Sequence, residues 1–131
     1  MPITFEKSYN PDLVVIIKPH GKVCYDDLKI YIKNIDYYIQ EGKEFRCIYD
    51  LREVNNVPPN LIHKLIKYTK KLKNIEDINI ICSVLLIESI SIKNLINMLM
   101  NLVEPITPCY IINNVEDINK YLYKEINKIS A

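Results

Sequence analysis

Residues 47–62 read CIYDLREVNNVPPNLI. Three signals meet in this stretch. Phe45 to Leu51 is a mostly apolar run that closes on Asp50-Leu51, the pattern of a strand covered on both faces. Arg52 to Val57 is short and largely polar. Pro58 and Pro59 then stand at the mouth of a helix, a place that tolerates proline because its missing N–H would have no partner anyway. Leu61, Ile62, Leu65, Ile66 and Leu72 follow at helical spacing. Strand, loop and helix in this order make one unit of an α/β chain.

The same alternation extends in both directions. Ile3 and Phe5 alternate with polar neighbours, so residues 3–8 read as a short edge strand. Asn10-Pro11-Asp12 is a turn signal. Leu13 to Ile17 is a β-branched run that Pro19 ends, with Gly21 permitting a turn. Asp26 and Asp27 open a helix at its positive end. Its apolar face is Leu28, Tyr31, Ile32, Ile35, Tyr38 and Ile39, and Gly42 is its stop. Ile78 to Ile87 is the most apolar strand. Ser89 or Ser91 caps a third helix with a stripe of Ile92, Leu95, Ile96, Leu99, Leu102 and Val103. Pro105 and Pro108 end it. Cys109 to Ile112 is the last strand. Asn114 with Asp117 resembles a capping box for a final helix carrying Ile118, Leu122, Ile126 and Ile129. The expected order is β-β-α-β-α-β-α-β-α in a single domain over 1–131. Its sheet is mixed and mostly parallel, with helices packed against it.

Composition narrows the function. The 131 residues are 49% hydrophobic and 25% charged, which suits one globular core. A net charge of +1 gives no global field to favour nucleic acid or a membrane surface. The abundance of Ile, Lys, Asn and Tyr beside two glycines is the codon bias of an AT-rich genome. No apolar run reaches the roughly 18–20 residues of a spanning helix. The N-terminus lacks a signal-peptide pattern. A cytoplasmic protein with reduced thiols is expected, because Cys24, Cys47, Cys82 and Cys109 form no paired motif. No cofactor is expected: no Gly-rich phosphate loop, G-x-S-x-G or H-E-x-x-H occurs.

This element order, at this length, resembles the STAS domain, the fold of anti-sigma factor antagonists and of the cytoplasmic tails of sulfate transporters. The local match is Asp50-Leu51 at the strand end and Val54 in the family's valine position. The family's following Asp-Ser falls on Pro58-Pro59, with Asn60 next. The resemblance implies a non-catalytic regulatory module with a protein partner. In the family, the serine at this helix start is phosphorylated to break the partner complex. Pro59 has no hydroxyl, so a phosphorylation switch of that kind is not expected. STAS-like folds also overlap with the CRAL-TRIO lipid-transfer fold. That likeness implies, as the alternative, an apolar small molecule or lipid held between the sheet and a mobile helix.

The candidate binding residues follow from position. Asp50, Arg52 and Glu53 stand at the carboxyl end of a strand, where open α/β sheets place ligands; they also suit a salt-linked strand exit. Asn55, Asn56 and Asn60 offer hydrogen bonds to a partner, or form turns. His63 begins a lysine-rich outer helix face, either a meeting place for an acidic partner or a solvated surface. Met98 and Met100 flank the stripe of a helix with few charges, which suits an interface, including one between two copies of the chain. A catalytic reading would need Asp50, Arg52 and His63 to converge.

Overall fold

The computed structural model describes residues 3–8 and 12–124. Among them, β1 (Thr4–Ser8), β2 (Leu13–Lys18), β4 (Phe45–Asp50), β6 (Ile80–Leu86) and β7 (Cys109–Ile112) form the main sheet in the order β1-β2-β4-β6-β7. The β1–β2 pair is antiparallel and the other pairs are parallel. The helices are α1 (Tyr25–Glu41), α2 (Pro59–Leu72), α3 (Ile90–Leu102) and α4 (Ile118–Leu122). The expected mixed, mostly parallel α/β sheet is what forms.

Along β2, β4, β6 and β7 the strand order follows the chain order and never reverses. Crossovers of one hand therefore carry successive helices to the same face. Ile35 and Tyr38 of α1 and Tyr68 and Leu72 of α2 pack there with Val15, Ile17, Phe45 and Cys47. Ile92 of α3 packs on the same face, against Leu85. Leu122 of α4 packs on the opposite face with Val14, Ile48, Cys82, Val84 and Ile112. Arg46 is buried on that side, paired with Asp12 and lying over the Tyr123 ring.

Local signals explain most element ends. Gly42 follows α1 with φ 77°, the left-handed conformation that glycine adopts without a Cβ clash. Ser89 accepts a hydrogen bond from the Ile92 N–H at 3.3 Å and caps α3, as expected. Pro58 is the N-cap of α2 and Pro59 its first residue.

Three details differ from the expectation, and a fourth is not among the described residues. A second, two-stranded sheet pairs β3 (Gly21–Lys22) with β5 (Val54–Asn56), so Asn55 and Asn56 lie in a strand and not a turn. Asn114 accepts from the Glu116 N–H and opens a 3-10 turn over Val115–Asp117, while Asp117 makes no capping bond. Leu102 is exposed and not part of the buried stripe of α3. The positions of Ile126 and Ile129 fall outside the described residues.

Asp27 fastens α1 to the sheet. It is the third residue of the helix, and its carboxylate accepts from the Cys24 N–H and the Ile3 N–H, both at 3.0 Å. The Cys24 thiol donates to it as well. Burial favours the protonated form, but these donors outweigh burial and hold the carboxyl below its ordinary range. Asp27→Ala would remove the helix-start bond and strand a buried N–H. A loss of about 2–3 kcal/mol is expected in urea unfolding. Asp26→Ala, at an exposed position on the same turn, should change stability by less than about 0.5 kcal/mol.

Candidate functional site

Two places could carry function. The first is the ion cluster where β4 ends. Asp50 is buried, and Arg52 donates to it from Nε at 2.9 Å, from a terminal guanidinium nitrogen at 2.8 Å and from its backbone N–H at 3.2 Å. The backbone bond closes a local turn of the kind Asp favours. Lys18 lies 3.9 Å from Asp50 and 3.3 Å from Glu53. His20 Nδ1 is 2.9 Å from Glu53. The Gly21 N–H donates to the Glu53 carbonyl at 2.7 Å and the Val23 N–H to the Asn56 carbonyl at 3.0 Å. The β2 and β4 exits are thus laced together by backbone and charge. A hollow of about 240 Å³, lined by Lys18, Asp50, Arg52 and Val115, opens on the α4 side.

Asp50 and Arg52 satisfy each other, so neither is presented as a free reactive group. Asn55, Asn56, Asn60 and His63 are exposed. Among the described residues His63 makes no hydrogen bond or ion pair, and it does not join Asp50 and Arg52 in one cluster. The convergence that a catalytic reading requires is not formed. The strand order also explains why this end is not a ligand crevice of the usual α/β kind. Such crevices open where the order of strands reverses, and here it does not.

The second place is an apolar cavity of about 290 Å³ between the sheet and α1, α2 and α3. Register creates it. Cys47 stands opposite Ser83, and Ser83 opposite Cys109, so three small side chains run in a row across neighbouring strands. Ser83 and Cys109, the two of them that line the space, leave room beneath the helices, while Cys47 is packed in the neighbouring core. Ser83 and Cys109 face the space from the sheet, and Leu95, Ile96, Leu99 and Met100 face it from α3. Tyr31 of α1 and Tyr49 of β4 close one side, their hydroxyls hydrogen-bonded at 2.8 Å. Burial raises both phenols above their ordinary range and pushes the Cys109 thiol up to about 11. Tyr68 joins this corner with its ring edge against Tyr31, and donates to Asp36 at 2.6 Å.

The two methionines part company. Met100 lines the cavity, while Met98 lies on the outer surface. The Tyr31–Tyr49 pair, Ser83 and the His20–Glu53 contact were not singled out from sequence as binding features. The small residues at 47, 83 and 109 would have signalled the cavity only once the strand register was known.

Comparison with solved structures fits this geometry. An uncharacterised DUF3478-family protein with a SpoIIAA-like fold from Shewanella loihica PV-4 superposes with a TM-score of 0.65 at 12% identity, over 92% of this chain and 91% of its own. The anti-sigma factor antagonist SpoIIAA in its unphosphorylated form gives 0.59 at 12% identity, over 98% of each chain. This chain has the SpoIIAA-like fold. An anti-sigma factor antagonist from Mycobacterium paratuberculosis gives 0.55 at 12% identity, over 92% of this chain and 93% of its own. Identity this low establishes the fold alone. No family model matches the sequence, and no curated protein matches it. No helix among the described residues is long and apolar enough to cross a membrane.

The ion cluster sets a pH dependence. The Arg52 hydrogen bonds, aided by Lys18 and opposed by burial, hold the Asp50 carboxyl below its ordinary range. A depressed carboxylate stabilises the fold above the unfolded value of about 3.9, and that contribution is lost as pH falls through the folded value. The urea midpoint should therefore fall as pH drops below about 4. Asp50→Asn should make the decline shallower, as read from midpoints at a series of pH values.

Proposed function

We propose that the protein is a non-catalytic regulatory module of the cytoplasm that binds a protein partner. The observation that carries this reading is the outer face of α3. Ile90, Leu102 and Met98 are 77%, 59% and 45% exposed, on a helix whose sole charged residue is Lys93. Apolar side chains with an adaptable methionine and little charge suit an interface. The SpoIIAA-like fold supports the same reading, since two similar structures are anti-sigma factor antagonists. Arg52, Glu53, Asn55, Asn56, Asn60 and His63 would provide the polar part of the contact, from the 52–60 loop and the first turns of α2, with Asp50 at the end of β4 holding Arg52 in place. Complex formation would not be switched by phosphate at this loop, because residues 54–62 contain no Ser, Thr or Tyr.

The test compares partner capture by the wild-type chain with capture by Met98→Glu/Leu102→Glu. Both substitutions lie on exposed positions and should cost little stability. The wild type should retain a defined partner at stoichiometric yield and the variant should lose at least tenfold in affinity. Equal retention by the two proteins would sink the α3 interface. A homodimer on this face would show as a doubled mass in native mass spectrometry, converted to monomer by the same variant.

A second reading rests on the cavity. At about 290 Å³ with apolar walls it stands near the lower end of small-molecule sites. On this reading the module holds an apolar small molecule. Native mass spectrometry of freshly purified protein should then show an added mass that is lost on denaturation.

A further inference from the structure

We propose that the cavity beneath α3 selects a neutral, mostly apolar molecule with one hydrogen-bonding oxygen, an alcohol or ketone and not a carboxylate, seated with that oxygen against the Ser83 hydroxyl. The inference rests on the ligand-binding reading above and specifies its chemistry.

The argument is an inventory of the wall. Among the described residues no lysine, arginine or histidine lines the cavity, and Asp27 is its sole carboxylate. The Asp27 oxygens are occupied by the Ile3 and Cys24 donors, so this group neither attracts an anion nor remains to bind a cation. An anionic head group would enter without a countercharge and beside an existing negative charge. Desolvating an unpaired carboxylate is strongly unfavourable. The same environment keeps Tyr31 and Cys109 in their neutral forms. At the start of α3 the N–H of Ile92, the cavity-lining residue of that turn, is already taken by the Ser89 side chain.

The neutral polar groups are also accounted for, with few exceptions. The Tyr31 and Tyr49 hydroxyls bond each other. Thr69 donates to the Leu65 carbonyl at 2.9 Å. Ser83 differs. It sits mid-strand in β6, half-buried on the cavity floor, and its hydroxyl makes no hydrogen bond among the described residues. Cys47 and Cys109, its neighbours across the sheet, are poor partners. A hydroxyl in such a place gains from one complementary oxygen and offers nothing to a charge. Thr107 also lacks a side-chain bond, but it belongs to the loop before β7. The volume sets the scale: a cavity of about 150 Å³ holds benzene, so one near twice that size admits a chain of about ten carbons.

The experiment titrates the full chain with 1-decanol and with decanoate at pH 7.5, by calorimetry, after removal of any copurifying apolar material. Decanol should bind at least tenfold more tightly than decanoate. Ser83→Ala, which removes only the hydroxyl, should weaken decanol by roughly three- to tenfold and leave decanoate unchanged. Ile96→Trp, which fills the space from α3, should abolish decanol binding. Decanoate binding as tightly as decanol would overturn the neutral-ligand inference while the ligand-binding reading stood. An unchanged decanol affinity in Ser83→Ala would overturn the placement of the oxygen. No binding of either probe to the wild type would overturn both the inference and the reading on which it rests.

Discussion

β4 is held between β2 and β6, and the register of those two ladders fixes what each of its side chains does. Val15 stands opposite Cys47 and Ile17 opposite Tyr49 on one side; Cys47 meets Ser83 and Tyr49 meets Leu85 on the other. Strand side chains alternate between faces. Cys47 and Tyr49 therefore point toward α1, α2 and α3, while Ile48 joins the cluster beneath α4. A slip of one residue would exchange these sets and place Tyr49 among the α4 contacts. The row of small residues at 47, 83 and 109 is a consequence of this register, and its Ser83 and Cys109 members line the cavity.

The helices over that row are fastened unequally. α1 is tied to β4 through Tyr31 and Tyr49 and to the start of β1 through Asp27. α2 is tied to α1 through Tyr68 and Asp36. Among the described residues α3 has only its own Ser89 cap, and it otherwise rests on apolar contacts such as Ile92 against Leu85. Apolar contact is non-directional. A helix held in this way can shift over a filled or empty space at lower cost than one held by hydrogen bonds to the sheet. The polarity of the molecule is therefore uneven: directional bonds concentrate on α1 and α2, and space concentrates under α3.

Much of this was legible in the sequence because much of it is local. Leu13 to Ile17 read as a strand covered on both faces and Ile78 to Ile87 as the most apolar strand, of which Ile80–Leu86 forms β6, and Gly42, Ser89 and Pro59 marked helix ends through their own backbone chemistry. The SpoIIAA-like arrangement followed from the alternation of those elements. What escaped was non-local. β3 and β5 have two and three residues, too few to show a period. Asn55 and Asn56 have turn-forming side chains, yet parallel pairing with β3 drew them into a strand. Leu102 matched the helical stripe, but it lies at the edge of that stripe, at the last residue of α3, and is 59% exposed among the described residues. Ser83 reads locally as one polar residue in an apolar strand. Its significance depends on its neighbours being Cys47 and Cys109, a fact of long-range register.

The proposed interface and the proposed ligand site share one element. Met98 is on the outer surface of α3 and Met100 on its inner one, two residues apart. A ligand under the helix can affect a partner above it only if it favours one seating of α3 over another, and by no more than its difference in affinity for the two seatings. Among the described residues no hydrogen bond joins α3 to the sheet, so none has to break for the helix to change its seating. Linkage then runs both ways: a partner that fixes α3 changes ligand affinity by the same factor that the ligand changes partner affinity. Pro59 removes the hydroxyl that a phosphate switch at α2 would need. Ser83 and Cys109 leave space under α3 instead, so on the proposed reading a regulatory input would act one helix along, through the packing of α3 and not through charge at the start of α2.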